Sequence, residues 1–254
     1  MLLAIDIGNT NIVFGVHDGQ IWRHQWRVQT VHERMPDEYA VMFQSFLQQA
    51  GLDFTAFDQA VLSSVVPQLT LSIAAMVETQ IGHPLLVLRP PHTPTGIEID
   101  TEHPEKIGTD LVANAVAAYD YFKDNCIVVD FGTATTFTVV EQPGILRGVA
   151  IAAGLNTTAN ALSSKAAQLP YIELVPPPSV IGRNTVHAMQ AGLVLGYVSM
   201  VEGMIDRIRA ELPGAKVVAT GGLSRVIGPL TQHFDAVEPW LTLDGLRLIA
   251  ARNA

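Results

Sequence analysis

The chain has 254 residues, of which 48% are hydrophobic and 15% charged, and its formal net charge is −9. This length suits one large domain or two of about 120 residues each. The acidic balance, without a run of lysine or arginine, argues against a nucleic-acid or anionic-membrane partner. The single cysteine, Cys126, lies in an apolar run, which excludes a disulfide framework and fits a reducing compartment. The N-terminus lacks a signal-peptide pattern and no apolar run reaches the ~18 residues of a membrane span, so we expect a cytoplasmic protein without membrane contact.

Apolar periodicity predicts the elements of the first half of the chain. Two short strands flank a turn at Gly8, and a third, antiparallel strand follows a turn at Asp18-Gly19. The predicted strands cover residues 2–5, 12–16, 20–27, 59–65 and 85–88, and the predicted helices cover residues 36–50 and 69–81. Residues 89–96 are rich in proline and predict a loop.

The second half of the chain has the same mixture of strands and helices. Its predicted helices are residues 110–122 and 186–212, with a further helical pattern at 155–168, and its predicted strands are residues 126–130, 137–141, 148–151 and 216–220. Residues 131–136 predict a turn, and the three prolines at 176–178 predict an extended linker. A glycine pair, Gly221-Gly222, follows the last predicted strand.

Two segments repeat one pattern. "LLAIDIGNTNIVFGV", from Leu2, and "CIVVDFGTATTFTVV", from Cys126, each contain an apolar strand that ends in aspartate, at Asp6 and Asp130. One apolar residue, a glycine, small polar residues and a second strand follow. An internal repeat of this kind predicts two similar domains with a cleft between them.

The first of these turns permits two interpretations, an Asn-rich hairpin turn and a phosphate-binding loop. Gly8 has no side chain to block a ligand, and successive backbone N–H groups in such a turn can bind an anion. Asp6 has the wrong charge to bind phosphate directly, but it can hold a hydrated Mg²⁺ that bridges phosphate oxygens. The second copy at Asp130 favours the phosphate-binding loop. No P-loop or dinucleotide-binding glycine motif is present in the chain.

Five motifs occur in an order that resembles the bacterial type III pantothenate kinases. They are "DIGNTN" at 6–11, "IGTD" at 107–110, "VVDFGTATT" at 128–136, "GRNT" at 182–185 and "TGGLS" at 220–224. The resemblance implies an α/β fold of two similar actin-like ATPase (ribonuclease H-like) lobes with a central cleft, at residues 1–117 and 118–254. It implies ATP-dependent phosphorylation of pantothenate to 4′-phosphopantothenate, the first step of coenzyme A biosynthesis. The implied cofactors are Mg²⁺ and a monovalent cation, K⁺ or NH₄⁺, and the implied assembly is a cytoplasmic homodimer.

The resemblance also implies roles for individual residues. Asp110 matches the family's proton acceptor, and a carboxylate base on a substrate hydroxyl suits phosphoryl transfer. The implied metal ligands are Asp130, for the monovalent cation, and Asp6, for Mg²⁺. The implied nucleotide-binding residues are Asp6, Ile7, Gly8, Asn9, Thr10, Asn11, Ile12, Val13, Thr133, Gly221 and Gly222. The implied substrate-binding residues are Thr101, Gly108, Thr109, Asp110, Leu111 and Thr185.

Structural alternatives exist for several of these residues. Asp110 and Thr185 could each be the N-cap of the helix that follows, and Gly221-Gly222 could be an ordinary loop. Small residues at positions 188, 192, 196 and 199 line one side of the long helix, where they permit close packing either within the chain or at a dimer contact. The histidines show no spacing typical of a zinc site.

Two positions depart from the pattern common in the family. Leu111 stands where many members have arginine after "G-x-D", and Thr101 stands where many have tyrosine. Leucine cannot replace the charge-assisted contact of an arginine with a substrate carboxylate. Two alternatives therefore stay open: a kinase for another small hydroxy-acid or sugar, and a nucleotide-binding regulatory protein with weak catalysis.

Overall fold

The computed structural model describes residues 1–254, which form two compact units. The first unit contains Met1–Ala117 together with Leu241–Ala254, and the second contains Ala118–Trp240. Residues 241–254, predicted to belong to the second lobe, belong to the first unit. They contain a helix that contacts two strands of the first unit's sheet. Chain order alone does not reveal this return, since the helix is apolar on one face and would suit either sheet.

The chain contains eleven strands and eight α-helices. In order, they are β1 (Leu2–Ile7), β2 (Asn11–His17), β3 (Trp22–Gln29), α1 (Pro36–Gln49), β4 (Gln59–Ser64), α2 (Pro67–Ile81), β5 (Leu86–Val87), β6 (Glu98–Ile99), α3 (Thr109–Phe122), β7 (Cys126–Phe131), β8 (Ala134–Glu141), β9 (Ile145–Ala153), α4 (Leu155–Lys165), α5 (Thr185–Gln190), α6 (Gly196–Glu211), β10 (Lys216–Gly221), α7 (Ser224–Ile227), β11 (Ala236–Val237) and α8 (Leu241–Arg252).

A five-stranded sheet in the order β3-β2-β1-β4-β5 forms the centre of the first unit. Strand β1 pairs antiparallel with β2 and parallel with β4. Because side chains alternate between the two faces of a strand, β1 presents different side chains on each face of the sheet. Leu3, Ile5 and Ile7 join an apolar core that includes residues of α1 and α2. Asp6 points to the opposite face, close to the carboxyl end of the strand.

The second unit repeats this arrangement. Its strands run in the order β11-β10-β7-β8-β9, and β7 pairs antiparallel with β8 and parallel with β10. Ile127, Val129 and Phe131 join the core of this unit, whereas Asp130 points to the other face. In both units, a central strand therefore ends in Asp-x-Gly with a hairpin partner on one side and a parallel strand on the other. The repeat predicted from the two segments is confirmed.

The longest helix runs without interruption from Thr185 to Glu211, through α5, a π-helical turn at Ala191–Leu195 and α6. By length and composition this helix could cross a membrane, contrary to the prediction that no segment reaches that length. Half of its most apolar window is buried within the protein, as in the core helix of a globular domain. A side chain added at Gly192 or Gly196 would meet no atom within 4 Å, so no segment of the chain packs against these glycines.

Candidate active site

The first Asp-x-Gly turn is a hairpin that the following strand supports. The amide of Gly8 donates to the carbonyl of Asn11 at 2.9 Å, which closes the turn. The hydroxyl of Thr30 donates to the Gly8 carbonyl at 2.7 Å, and the Thr30 amide donates to the Thr10 carbonyl at 2.9 Å. The turn is therefore a hairpin by geometry. This does not exclude phosphate binding, because the side chain of Thr10 is exposed to solvent.

Asp6 stands beside the end of β4, where two serines hold the start of α3. In the parallel pairing of β1 with β4, Asp6 lies next to Ser63. The Ser63 hydroxyl donates to Oγ1 of Thr109 at 2.9 Å, and the amide of Ser64 donates to the same oxygen at 3.0 Å. The first turn of α3 is thus attached to the strand next to the one that carries Asp6.

Asp110 lies in that first turn, one residue after the helix begins at Thr109, so it is not the N-cap. Its Oδ1 accepts a hydrogen bond from the amide of Leu111 at 2.8 Å. Burial raises the pKa of the Asp110 carboxyl, because removal from water disfavours its charged form; the hydrogen bonds to it act in the opposite direction. A Cβ on Gly108 would come within 2.5 Å of Oδ1, so this glycine makes room for the carboxylate.

The two positions that depart from the family pattern also lie in the first unit. Leu111 is half-buried and is close to Gly108, where an added Cβ would approach the Leu111 side chain at 3.4 Å. The hydroxyl oxygen of Thr101 is buried and makes no hydrogen bond. A buried hydroxyl without a partner is costly, so this group could serve a polar ligand.

The second Asp-x-Gly turn brings Asp130 against the end of β10. Thr220 on β10 pairs with Asp130 on β7. Gly221, the next residue, has φ +85°, and a Cβ there would overlap Oδ1 of Asp130 and come within 2.7 Å of the Phe131 amide. The Ser224 hydroxyl donates to the Gly221 carbonyl at 2.8 Å and fixes the turn. Gly221 is therefore required by its backbone conformation and by the aspartate beside it, which an ordinary loop would not demand.

Thr133 lies at the tip of the β7–β8 hairpin and is exposed. Its carbonyl accepts hydrogen bonds from the amide of Gly154 at 3.1 Å and from the hydroxyl of Thr157 at 2.8 Å. Helix α4 thus supports the second hairpin as Thr30 supports the first. Gly222 is exposed directly after β10.

A buried hydroxyl faces the same side of the sheet as Asp130. Thr136 pairs directly with Asp130 across the hairpin, which places both side chains on one face. The Thr136 Oγ1 is buried and has no hydrogen-bond partner. On the opposite face, Thr135 is hydrogen-bonded to the hydroxyl of Tyr197, whose pKa is raised mainly by burial and also by the charge of Asp130.

Thr185 lies on an open groove of about 740 Å³ in the second unit. The N-cap of α5 is Asn184, whose Oδ1 accepts from the amide of His187 at 2.8 Å. Thr185 is the first helical residue, so its interpretation as the N-cap was wrong. A Cβ on Gly182 would overlap the backbone of Ala188, so the "GRNT" loop packs closely on the helix. The groove is lined by Leu162, Leu169, Gly182, Arg183, Asn184, Thr185, Ala188, Met189, Gly192 and Leu193.

In the first unit, Ser63 connects the strand position beside Asp6 to Thr109, and in the second unit Asp130 lies against Gly221. Sequence reasoning missed the residues that support them, chiefly Ser63, Thr30 and Thr136. Each is a small hydroxyl residue in or next to a strand, and nothing in its local pattern distinguishes it from an ordinary strand residue.

The paired sheets with Asp-x-Gly hairpins define an actin-like ATPase fold, and solved structures support this class. A ROK hexokinase from Thermus thermophilus matches with a TM-score of 0.51 at 14% identity, covering 99% of this chain and 98% of that one. A Campylobacter jejuni protein described as a Baf family transcriptional activator matches with a TM-score of 0.60 at 19% identity, covering 99% and 98% of the two chains. At such low identities, these likenesses show the fold alone.

The sequence comparisons define the family. A model of type III pantothenate kinases matches residues 2–207. The type III pantothenate kinase of Moorella thermoacetica is 46% identical to this chain over 254 residues, and the alignment covers the whole of both chains. The chain belongs to the type III pantothenate kinase family.

Proposed function

We propose that the protein transfers the γ-phosphoryl group of ATP to pantothenate and forms ADP and 4′-phosphopantothenate, the first step of coenzyme A biosynthesis. Family membership over the full chain supports this activity. The observation that carries the proposal is the attachment of the Asp110 turn to the strand beside Asp6. This attachment supports a role for Asp110 beside the first hairpin, because it joins the turn that carries Asp110 to the strand next to β1.

Asp110 acts as the general base. The hydroxyl oxygen of pantothenate forms a bond to the γ-phosphorus, the bond from that phosphorus to the β–γ bridging oxygen breaks, and ADP leaves. The hydroxyl proton passes to an oxygen of Asp110. A base of raised pKa is the better proton acceptor once it is deprotonated. No covalent enzyme intermediate is needed, since positioning and charge neutralisation account for most phosphoryl-transfer catalysis.

The first hairpin, from Asp6 to Val13, binds the phosphates of ATP, with Gly8 allowing close approach. Thr133 and the Gly221-Gly222 turn complete the nucleotide contacts. Asp6 holds Mg²⁺, which neutralises charge on the phosphate oxygens when it is bound. No three His, Cys, Asp or Glu residues are grouped to hold a metal. A single carboxylate together with phosphate and water oxygens is the kind of site that Mg²⁺ accepts.

Asp130 holds the monovalent cation, K⁺ or NH₄⁺. The residues present fit this role, because the Thr136 oxygen is buried without a partner on the face to which Asp130 points. Gly221 keeps side-chain atoms away from the same carboxylate. When bound, the cation offsets the repulsion between the carboxylate and the phosphates of ATP.

Pantothenate contacts Thr101, Gly108, Asp110, Leu111 and Thr185. The hydroxyl of Thr109, which the family resemblance also assigned to the substrate, is hydrogen-bonded to β4. Leu111 cannot pair with the substrate carboxylate, so another group does so, and the buried free hydroxyl of Thr101 supports a polar contact at that position. The protein acts as a cytoplasmic homodimer. The exposed small residues of the long helix support a dimer contact there, because no part of this chain packs against Gly192 or Gly196.

The Leu111 substitution keeps a second candidate open, a kinase for another small hydroxy-acid or sugar. The test is ADP release from ATP and Mg²⁺, with and without K⁺, over a panel of acceptors that includes pantothenate and 4′-deoxypantothenate. The deoxy compound lacks the accepting hydroxyl and is the matched control. Release that requires both pantothenate and its hydroxyl supports the proposal. Release with a different acceptor identifies the second candidate, and ATP binding without release from any acceptor identifies a regulatory protein.

A further inference from the structure

A single oxygen, Oγ1 of Thr109, connects the strand beside Asp6 to the helix that carries Asp110. It accepts two hydrogen bonds, from the Ser63 hydroxyl at 2.9 Å and from the Ser64 amide at 3.0 Å. Thr109 directly precedes Asp110, so a shift of this oxygen moves the backbone that carries the carboxylate. The Asp110 carboxylate accepts a hydrogen bond from the adjacent amide of Leu111, a contact within the same turn.

The two donors to Thr109 are themselves held firmly. Ser63 is fully buried in β4, between strands on either side. The Ser64 hydroxyl accepts from Thr70 at 2.7 Å and from the amide of Val66 at 3.2 Å, which fixes the turn into α2. The Val65 amide donates to the Ile7 carbonyl at 3.0 Å, next to the first hairpin. The hydrogen bonds to Thr109 therefore hold the start of α3 against the end of the sheet.

We infer that Thr109, together with Ser63, is a positioning pair that sets the place of the Asp110 carboxylate relative to the first hairpin. The inference rests on the proposed function, in which Asp110 is the base. It changes the role expected for the Thr109 side chain, whose hydroxyl is engaged with β4 instead of with substrate. A displacement of about 1 Å in a catalytic group can reduce the rate about 100-fold.

The experiment compares Thr109→Val, which keeps the shape and removes the hydroxyl, with Thr109→Ser, which keeps the hydroxyl. Pantothenate-dependent kcat and the KM for ATP are measured for each. We expect Thr109→Val to lower kcat by about 10- to 100-fold, with KM for ATP within about twofold because the hairpin is intact. Thr109→Ser retains kcat within about threefold. We expect the double variant Ser63→Ala/Thr109→Val to have the same kcat as Thr109→Val, because the effects of two substitutions that remove one contact do not add.

The matched control is Thr242→Val. The Thr242 hydroxyl donates to Oδ1 of Asn114 at 2.8 Å and so also holds α3, but one turn beyond Asp110. We expect Thr242→Val to leave kcat within about twofold of the wild-type value. An unchanged kcat in folded Thr109→Val, or an equal loss in Thr242→Val, overturns the inference.

Amide hydrogen exchange at Leu111 and Val112 separates failure of this inference from failure of the proposed function. If the wild-type protein releases no ADP with pantothenate, the proposed function fails. Exchange at these amides must still become at least about tenfold faster in Thr109→Val than in Thr109→Ser if the pair holds the turn. Equal exchange in the two variants contradicts the positioning role whether or not turnover is observed.

Discussion

Gly221 lies so close to Asp130 that a methyl group on its α-carbon would overlap the Oδ1 atom of the aspartate. The residue also has φ +85°, a conformation that glycine adopts without strain. Gly221 is therefore constrained in two independent ways, at the carboxyl end of β10 and next to the strand that carries Asp130.

Gly221→Ala should destabilise the protein by roughly 3 kcal/mol, since it adds backbone strain and a steric overlap. The control is Gly214→Ala, at φ +79° with no atom within 4 Å of the added methyl group. The control substitution introduces only the backbone strain, so its free energy of unfolding should fall by about 1 kcal/mol. Urea unfolding of both variants measures the difference, and equal losses would show that the overlap with Asp130 is relieved at little cost.

Gly245→Ala should be among the most destabilising substitutions in the first unit. A Cβ at this position would overlap the carbonyl oxygen of Ala113, where α8 crosses α3. Backbone atoms cannot move aside as a flexible side chain can, so we expect a loss of about 3 kcal/mol or more. Gly203→Ala, in α6, meets only the end of the Arg207 side chain at 3.2 Å and should be neutral or stabilising by up to about 1 kcal/mol. Thermal unfolding distinguishes the two.

Gly108→Ala should impair catalysis more than stability. Its added methyl group meets the Asp110 carboxylate at 2.5 Å, and a side chain can rotate away from such a contact. The rotation displaces the proposed base, so kcat should fall by about 10- to 100-fold, while the unfolding free energy changes by less than about 1 kcal/mol. A normal kcat in this variant would mean that the carboxylate position seen here is not the one used in the reaction.

The raised pKa of Asp110 predicts a pH-dependent gain in stability for Asp110→Asn. A carboxyl whose pKa is higher in the folded state than in the unfolded state binds its proton more tightly when folded. It therefore destabilises the fold at pH values above the raised pKa, and this cost disappears as the pH falls below the ordinary pKa of about 3.8. Asp110→Asn removes the charge and should be more stable than wild type at pH 7.

Unfolding free energies of the two proteins at pH 7 and in the acid range test this prediction. Their difference should shrink as the pH is lowered. A variant that is less stable than wild type at pH 7 would show that the hydrogen bond from Leu111 outweighs the cost of burial.

The repeated Asp-x-Gly hairpin was predictable because the sequence contains it twice. Its register was not, because Asp6 pairs with Val13 in the first hairpin, whereas Asp130 pairs with Thr136, one residue closer to the turn. Strand β8 begins at Ala134, inside the segment predicted as a turn. Its threonines are small and polar, which suggests a turn, but they are also β-branched and pair well in a sheet.

Other features depend on contacts that a single sequence does not display. The contact of Ser63 with Thr109 joins residues 46 positions apart, and Ser63-Ser64 resembles the ordinary polar end of a strand. Similarly, the return of α8 to the first sheet depends on Gly245 fitting against Ala113. The choice of Asn184 over Thr185 as the N-cap depends on one residue of register, because both types cap helices well.

The most direct test is the formation of 4′-phosphopantothenate by wild type and Asp110→Asn, followed by mass spectrometry in a single turnover with ATP, Mg²⁺ and K⁺. We expect stoichiometric product from the wild-type protein. We also expect at least about a 100-fold slower reaction in Asp110→Asn, with ATP binding retained. Product formation at the wild-type rate by the variant would contradict the role of Asp110 as the base. No product from folded wild-type protein that binds ATP would contradict the proposed kinase activity.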